Sequence, residues 1–373
     1  MIGTSTERVV RSEAPWADVV ALIWAALATL AALALAGWGV ARLVTSPGTT
    51  DPTVTVPRYV GAVLAIAAAA VVIVRYARLW RAVAADRDMV RARHTMRVDM
   101  LQVFLLVVLA VVLFPLVWIL SMSLDPRDFS RPTGLTIIPP GATLRAYVKV
   151  LTQPSANPVS FARLLTNSLL VAGGTAALAV VIGTSAAYAF SRLKFPGRRL
   201  GMLGFVLVLM IPPGATLAPL FVLLNSVGLR TTLLGLAIAY ASTALPFAIW
   251  NMKGFVDSLP YDLEEAAQID GCTRTQGFLR VILPLAAPGM AVTALMGFLT
   301  GWSEFILAWT FLTDPSRFTL PMVLRGMTGQ YAAGTPWSEF AALSILMSIP
   351  AVALFFILQR YLVSGLAAGG VKG

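Results

Sequence analysis

The feature that most constrains this chain is a series of long apolar stretches. A helix that crosses a membrane needs about 20 mostly apolar residues, because lipid offers backbone polar groups no partner outside the helix. Eight stretches meet that requirement, and they run over residues 17–41, 59–79, 100–121, 167–190, 200–224, 232–250, 288–311 and 340–361. Only 12% of the 373 residues are charged, about half of the share in a soluble domain. The sequence therefore predicts an all-α integral membrane protein with eight transmembrane helices.

Basic residues are distributed unevenly between the predicted loops. Arginines are concentrated in residues 75–97, after the second stretch, and the turn after the fourth stretch holds Arg192, Lys194, Arg198 and Arg199. Cytoplasmic loops of membrane proteins carry an excess of Lys and Arg. The pattern predicts that both termini lie in the cytoplasm. It also accounts for the net charge of +11 without a nucleic-acid partner.

The chain divides unevenly along its length. Residues 1–97 are predicted to form an accessory helical pair with a basic cytoplasmic linker, and residues 98–373 a six-helix core. The two halves of the core show no internal repeat. Many secondary transporters are built from duplicated halves, so this absence argues against such a carrier.

Residue usage excludes several kinds of chemistry. The chain has one cysteine, Cys272, and one histidine, His94, so neither an internal disulfide nor a Cys/His zinc site can form. None of its four lysines stands in the Gly-Lys-Ser/Thr context of a P-loop. We therefore predict no catalytic residues and no metal site in this chain. Energy for transport would come from another subunit or from an ion gradient.

The longest predicted cytoplasmic loop, residues 251–285, is the most informative segment. A helix is predicted to begin after Ser258 and Pro260, because proline suits a helix start and acidic residues occupy the following turn. Gly271 is expected to end that helix, and Thr273 to cap a second one. The loop is thus predicted to be a helix, a glycine turn and a second helix at the inner membrane face.

The same loop contains a long gapped motif. Its residues are Glu265, Ala266, Ala267, Gly271, Leu283 and Pro284. The motif resembles the EAA loop of ABC importer permeases, with Val281 where that family prefers Ile. We call residues 251–285 the coupling loop.

Other segments resemble the carbohydrate branch of that family, and the maltose-system permease in particular. They are Asn167-Ser168, Tyr188 to Arg192, Ile211-Pro212, Trp302 to Phe305, and the tail from Leu358 to Gly373. The branch usually has Asn where this chain has Ser303. The resemblance covers about residues 95–373 and leaves the first two predicted helices unassigned.

The resemblance implies how the coupling loop works. In such importers a short helix of the loop docks into a groove on a cytoplasmic ATPase subunit. Glu265 would be its polar anchor, Ala266 and Ala267 would permit close approach, and Gly271 would set the angle between the two helices. The alternative is an ordinary amphipathic hairpin on the membrane surface.

The resemblance also implies partners and location. A second related permease like that of the maltose system, two ATPase subunits that bind ATP and Mg²⁺, and an external sugar-binding protein are expected in a bacterial or archaeal cytoplasmic membrane. The cargo would be a maltose- or trehalose-type di- or oligosaccharide. Glycerol phosphate or a polyol is the alternative substrate class, and an ion-coupled secondary carrier is the alternative kind of protein.

Two further groups of residues are candidates for contact with the cargo or its carrier. Glu304 is placed on the translocation path because an ionisable residue inside a membrane helix is usually functional. Tyr240 and Trp302 are placed there because sugar sites favour aromatic faces and polar hydroxyl partners. Helix packing is the alternative for all three. By resemblance, the loop with Gly329, Tyr331 and Trp337 would contact the binding protein; its aromatic residues could instead lie at headgroup level.

Overall fold

The computed structural model describes part of the chain. The described residues are 28, 31–37, 39–40, 59–67, 69–74, 77, 89–127, 138–328 and 334–369. The chain divides into two compact units, Met1–Leu116 and Val117–Gly373. The described residues form helices, turns and irregular segments, with no strand among them.

The first unit contains short described helices. Residues 31–37 and 39–40 are helical, and Tyr59–Val74 is an apolar helix. Gly39 lies so close to this second helix that a Cβ there would be 2.9 Å from the carbonyl oxygen of Ala62. The predicted spans 17–41 and 59–79 extend outside the described residues.

Thirteen α-helices are described from residue 89 onward. They are α1 Met89–Ser123, α2 Arg145–Thr152, α3 Phe161–Arg192, α4 Arg198–Leu209, α5 Leu217–Ser226, α6 Leu233–Ser258, α7 Asp262–Ile269, α8 Arg274–Gly277, α9 Leu283–Leu285, α10 Ala287–Ser303, α11 Ile306–Phe311, α12 Leu320–Gly326 and α13 Trp337–Gly369. Two 3₁₀ turns, Pro213–Thr216 and Pro315–Arg317, and a π-helical segment, Phe278–Ile282, complete the described helical elements.

Four helices in the described part of the chain are long and apolar enough to cross a membrane. They are Leu101–Ser123, Phe161–Arg192, Leu233–Ser258 and Trp337–Tyr361. Two bent pairs of shorter helices raise the number to six if each pair is one span. The described residues therefore form an all-helical membrane protein with four to six spans, whereas the predicted total of eight stays a prediction.

The structure corrects two spans that the sequence predicted as continuous. The fifth, 200–224, bends by 104° between α4 and Gly214–Ser226, because Pro212 and Pro213 remove backbone donors and exclude the helical conformation just before them. The seventh, 288–311, is interrupted between α10 and α11, where the carboxylate of Glu304 accepts hydrogen bonds from the backbone of the next turn.

Helices α3, α6 and α10 pack together through small residues. A Cβ at Gly301 would lie 2.8 Å from the Cα of Ala172, and one at Gly297 would lie 3.1 Å from the Cα of Ala176. These glycines are four residues apart on one face of α10, an arrangement that lets membrane helices approach closely. The absence of side chains at Gly297 and Gly301 therefore allows the middle of α3 to lie directly against α10.

Candidate functional site

The first part of the coupling loop is helical and belongs to α6, which the sequence did not predict. Helix α6 continues two turns past residue 250 and ends at Ser258, so Ser258 closes one helix and does not open the next. Apolarity marks the end of a membrane span, whereas a helix continues until its backbone is obstructed, here by Pro260. Helix α7 then starts at Asp262, with three acidic residues in its first turn, where they stabilise the helix dipole.

The glycine turn between the two short helices is confirmed. Gly271 has φ +86°, the left-handed region that glycine adopts without a Cβ penalty. The backbone N–H of Cys272 donates to the carbonyl of Ala267, and that of Gly271 to Gln268, which is the Schellman pattern of a helix end. Thr273 caps α8 in a reciprocal capping box with Gln276.

The second helix is one irregular rod that packs back on α7 and α3. Helix α8 continues through the π-helical segment into α9, and a 75° bend separates this rod from α10. Ala267 on α7 is buried near Gly277, and the ring of Phe278 lies 4.5 Å from that of Tyr188 on α3. The loop is therefore a helical hairpin seated against the Arg192 end of α3.

A buried ion pair holds this hairpin to α3. The Nε of Arg192 lies 2.6 Å from Oε1 of Glu264, and the two side chains are only 2% and 13% exposed. The hydroxyl of Tyr188, one turn before Arg192, donates to the other carboxylate oxygen at 3.1 Å. Both oxygens of Glu264 thus face α3, Oε1 in an ion pair that lacks hydrogen-bond geometry and Oε2 in a hydrogen bond with Tyr188.

The same guanidinium also contacts the end of α6. Its Nη2 donates to the carbonyl oxygens of Val256 at 3.0 Å and Leu259 at 2.7 Å. Its Cζ lies 4.0 Å from the ring centroid of Tyr261, within the range of a cation–π interaction. Arg192 therefore joins α3, the last turn of α6 and α7 in one cluster.

The predicted coupling residues fall on both sides of the hairpin. Glu265, Ala266, Gly271 and Pro284 are exposed, Leu283 is half-buried, and Ala267 is buried. The exposed members form a polar and small-residue surface next to exposed apolar side chains. Ile269 is 86% exposed, and Tyr261 is 55% exposed. A surface of this kind is suited to contact another protein.

The three residues predicted on the translocation path lie near one another but have internal partners. Tyr240 is 1% exposed, and its hydroxyl donates to the carbonyl of Glu304 at 3.1 Å. The carboxylate of Glu304 accepts from the N–H of Ile306 at 2.7 Å, so it caps α11. Trp302 is 4% exposed, stacks on Phe298 and donates to the carbonyl of Met347.

The loop predicted to contact a binding protein is described only in part. Gly329 and Tyr331 lie outside the described residues. Trp337 opens α13, with its ring edge-on to Phe340 at 5.8 Å. Their assignment to such a contact stays a prediction.

Two open cavities lie in the second unit. One, of about 360 Å³, runs between α3, α6 and α10 and is lined by hydroxyl-bearing side chains, such as Thr243 and Thr300, and by small and larger apolar residues, such as Ala179 and Phe247. The other, of about 470 Å³, is lined by Trp309, by the carboxamides of Gln153 and Asn157, and by further residues of α12 and α13. Among the residues that the structure describes, no group of three His, Cys, Asp or Glu is placed to hold a metal ion.

Sequence reasoning missed the inward role of Arg192 and Glu264. In the sequence, Arg192 stands out as a basic residue that orients the chain and as the end of a segment that resembles the family, and Glu264 is one of three acids that open a helix; neither pattern predicts that the two residues meet. A usable signal was present: Tyr188 and Arg192 are four residues apart at the end of a long apolar helix, so they share one face.

Comparison with known proteins agrees with this architecture. The profile of a family described as "Binding-protein-dependent transport system inner membrane component" matches residues 179–367. The trehalose transport system permease protein SugB of Mycobacterium tuberculosis is 36% identical over 261 residues, which cover 70% of this chain and 93% of that protein.

Two further relatives and one solved structure are similar. The galactooligosaccharides transport system permease protein GanQ of Bacillus subtilis is 35% identical over 70% of this chain and 91% of its own length. The trehalose/maltose transport system permease protein MalG of Thermococcus litoralis is 34% identical over 74% of this chain and all of its own length. A chain of a bacterial ABC transporter involved in the import of the acidic polysaccharide alginate shares the fold, with a TM-score of 0.60, 21% identity, and coverage of 72% of this chain and 96% of that one.

Proposed function

This chain belongs to the family of inner membrane components of binding-protein-dependent transport systems, and from that membership we propose that it is the permease subunit of an ATP-driven carbohydrate importer. The observation that carries the proposal is the coupling-loop hairpin, with Glu265 and Ala266 exposed and Glu264 tied inward to Arg192. The cargo is a trehalose- or maltose-type di- or oligosaccharide. Relatives named as trehalose, trehalose/maltose and galactooligosaccharide permeases support this class.

The proposed assembly contains several other chains. A second, related permease completes the path, two ATPase subunits bind ATP and Mg²⁺, and an external binding protein delivers the sugar. The coupling loop supports the ATPase contact, because Glu265 and the exposed rim around it offer a carboxylate and close backbone approach. Glu265 pairs with a basic residue of the ATPase, and Gly271 sets the angle at which the hairpin enters its groove.

The proposed topology has eight spans, with residues 1–97 as an accessory pair and residues 98–373 as the core. The Arg192 end of α3 faces the cytoplasm, and both termini lie on that side. Arg192 and Arg198 lie at the same end of α3 as the coupling loop. A cluster of basic residues on the side of the ATPase is what the distribution of charges in membrane proteins favours.

We assign two further regions to the cargo and its carrier. Tyr240, Trp302 and Glu304 hold the interruption between α10 and α11 beside the path, and the internal bonds of Tyr240 and Glu304 support a positioning role there. Gly329, Tyr331 and Trp337 belong to the loop that contacts the binding protein.

Reconstituted transport tests the proposal. The chain would be purified with its co-purifying permease and ATPase, placed in proteoliposomes, and supplied with binding protein and labelled trehalose or maltose. We expect uptake that requires ATP and the binding protein. Uptake without either one would identify an ion-coupled carrier, and uptake of glycerol phosphate or a polyol in preference to sugar would correct the substrate class.

Matched variants test the coupling loop in the same assay. Glu265→Lys should abolish uptake while the chain remains in the membrane, whereas Asp270→Lys makes the same charge change at an exposed site outside the motif and should retain it. Gly271→Leu should also abolish uptake. Gly228→Leu is its control, because Gly228 likewise has a positive φ and open space around it. Normal uptake by Glu265→Lys and Gly271→Leu would contradict the assignment of the coupling loop.

A further inference from the structure

From the contacts of its guanidinium, we infer that Arg192 is the positioning residue that transmits movement of α7 to the transmembrane helices α3 and α6. This inference rests on the proposed function, since it concerns how displacement of the coupling loop reaches the transport path. It assigns the inward contact of the loop to Glu264, and it leaves Glu265 to face the ATPase.

The first argument is that one side chain joins three elements. Arg192 is the last residue of α3, its Nε pairs with Glu264 on α7, and its Nη2 donates to two carbonyls at the end of α6. A displacement of α7 that keeps these bonds must carry the ends of both longer helices with it. The hydrogen bonds from each N–H to the carbonyl four residues earlier make a long helix move nearly as a rod, so the displacement reaches the packed middle of the bundle.

The second argument is that the polar contacts of α7 with α3 converge on the same place. Tyr188 donates to Glu264, and the hydroxyl of Tyr261 donates to the carbonyl of Ser191 at 3.2 Å. Glu264 is 13% exposed at its side chain, so loss of its partner would leave a poorly solvated carboxylate. Separation of α7 from α3 is therefore costly, so the two helix ends should move together.

The third argument is the direction of two successive acids. Neighbouring residues of an α-helix point about 100° apart, and on α7 this separates Glu264, which faces α3, from Glu265, which faces solvent. One short helix thus presents one acid to its own chain and one to a partner. The two acids can be tested independently.

The chemistry requires arginine in particular. A guanidinium offers donors in a fixed fork, so Nε can pair with the carboxylate while Nη2 reaches the two carbonyls. A lysine at 192 has a single ammonium and can keep the ion pair only by giving up most of the contact with α6. Arg192→Lys should therefore lie between the wild type and Arg192→Gln.

The experiment measures sugar uptake per ATP hydrolysed in the full reconstituted complex. Arg192→Gln, Arg192→Lys, Glu264→Gln and the double variant Arg192→Gln/Glu264→Gln would be compared with Lys253→Gln. Lys253 forms an ion pair with Asp257 near the end of α6, and in the described part of the chain its ammonium has no hydrogen bond or ion pair with α7. Assembly would be measured separately, by the yield of complex with bound ATPase.

We expect uptake per ATP to fall about tenfold in Arg192→Gln and Glu264→Gln, the scale on which residues along a coupling route act. The double variant should be no worse than the poorer single variant, because both act through one contact. Lys253→Gln should match the wild type.

Two results would overturn the inference. If the variants reduce only the yield of complex and leave uptake per ATP unchanged, Arg192 is structural. If the losses of the two single variants multiply in the double variant, the two residues do not act through each other. Failure of the wild-type complex to show ATP-dependent uptake would instead refute the proposed function, so the two failures are distinguishable.

Discussion

The two ends of α3 are fastened to their neighbours by different chemistry. At one end the carboxamide of Asn167 donates to the carbonyls of Ser316 and Phe318, both at 2.9 Å, and Ser168 accepts from the N–H of Leu320 at 2.8 Å. At the other end a buried guanidinium pairs with a carboxylate. At the first end two neutral side chains hold one backbone segment, to which the exposed Nε of Arg163 adds a hydrogen bond at the carbonyl of Ser316. At the second end a buried charge pair joins two other elements.

The difference teaches how each end tolerates change. A neutral hydrogen bond contributes about 1 kcal/mol, and the Asn167 end has several that act on one segment, so the loss of one leaves the others. Breaking a buried ion pair by removing one partner costs about 3–5 kcal/mol, because a charge is left uncompensated. A single substitution at the Asn167 end should therefore remove only part of the contact, whereas a single substitution at the Arg192 end should disrupt the whole contact.

The largest effect is expected from Glu264→Lys, which places a cation against Arg192. The free energy of unfolding should fall by about 3–5 kcal/mol, as for a broken buried pair, with a lower melting temperature in detergent. Glu265→Lys is the matched control, because Glu265 is exposed on the same turn, and its stability should change by less than about 0.5 kcal/mol. Equal melting temperatures for the two variants would remove the distinction between the two acids.

The next largest loss of stability is expected in the middle of α3, where the helix packs against α10. Gly301→Val adds a side chain where even a Cβ would lie 2.8 Å from the backbone of Ala172, and overpacking of this kind costs about 1–3 kcal/mol. Gly173→Ala on α3 meets no atom within 4 Å, so it should be neutral or slightly stabilising. The melting temperatures of the two variants in detergent check this, and an unchanged Gly301→Val would show that α10 can move away from α3.

A smaller effect is expected at the neutral end. Asn167→Ala removes the side-chain donor to the carbonyl of Phe318, while the carbonyl of Ser316 keeps the Nε of Arg163. Stability should fall by about 1–3 kcal/mol, and uptake per ATP should stay at the wild-type value. Thr166→Ala is the control, since the hydroxyl of Thr166 bonds within its own helix, to the carbonyl of Ala162. A fall in uptake per ATP as large as that of Arg192→Gln would contradict the contrast between the two ends.

The smallest loss of stability is expected from a variant that separates the hydroxyl of Tyr188 from the ion pair at the Arg192 end of α3. Tyr188→Phe removes one donor to Glu264 but keeps the ring contact with Phe278 and the ion pair. Stability should fall by about 0.5–1.5 kcal/mol, the contribution of one hydrogen bond, as measured by denaturation in detergent. A loss as large as that of Glu264→Lys would show that the hydroxyl, and not the guanidinium, holds the hairpin.

The local structure of the coupling loop was predictable from its residues. Acids after Pro260, a glycine at 271 and a threonine at 273 each act within one turn of the chain, so their effect does not depend on distant contacts. The predicted helix, glycine turn and second helix are present. The helix limits were less predictable, since α6 extends to Ser258 by backbone continuity after its apolar stretch has ended.

Orientation of side chains required the tertiary structure. The motif directed attention to Glu265, yet the adjacent Glu264 is the acid that contacts α3. The sequence does not indicate which face of this eight-residue helix packs on the bundle. Its three acids, Asp262, Glu264 and Glu265, point in different directions, so any of them could face inward. Likewise, the sequence predicts Glu304 on the path because it is ionisable and lies within a span, and the structure shows its carboxylate capping α11 at an interruption of that span.

By itself, the sequence determined that this is an all-helical membrane protein, where its basic residues lie, and which loop carries the coupling motif. These follow from hydropathy, charge and turn chemistry, which are additive properties of neighbouring residues. Only the tertiary structure decided the 104° bend after α4, the close packing at Gly297 and Gly301, and the meeting of Arg192 with Glu264 across 72 positions of chain. Such contacts depend on how separate helices pack in three dimensions, and no local pattern records that geometry.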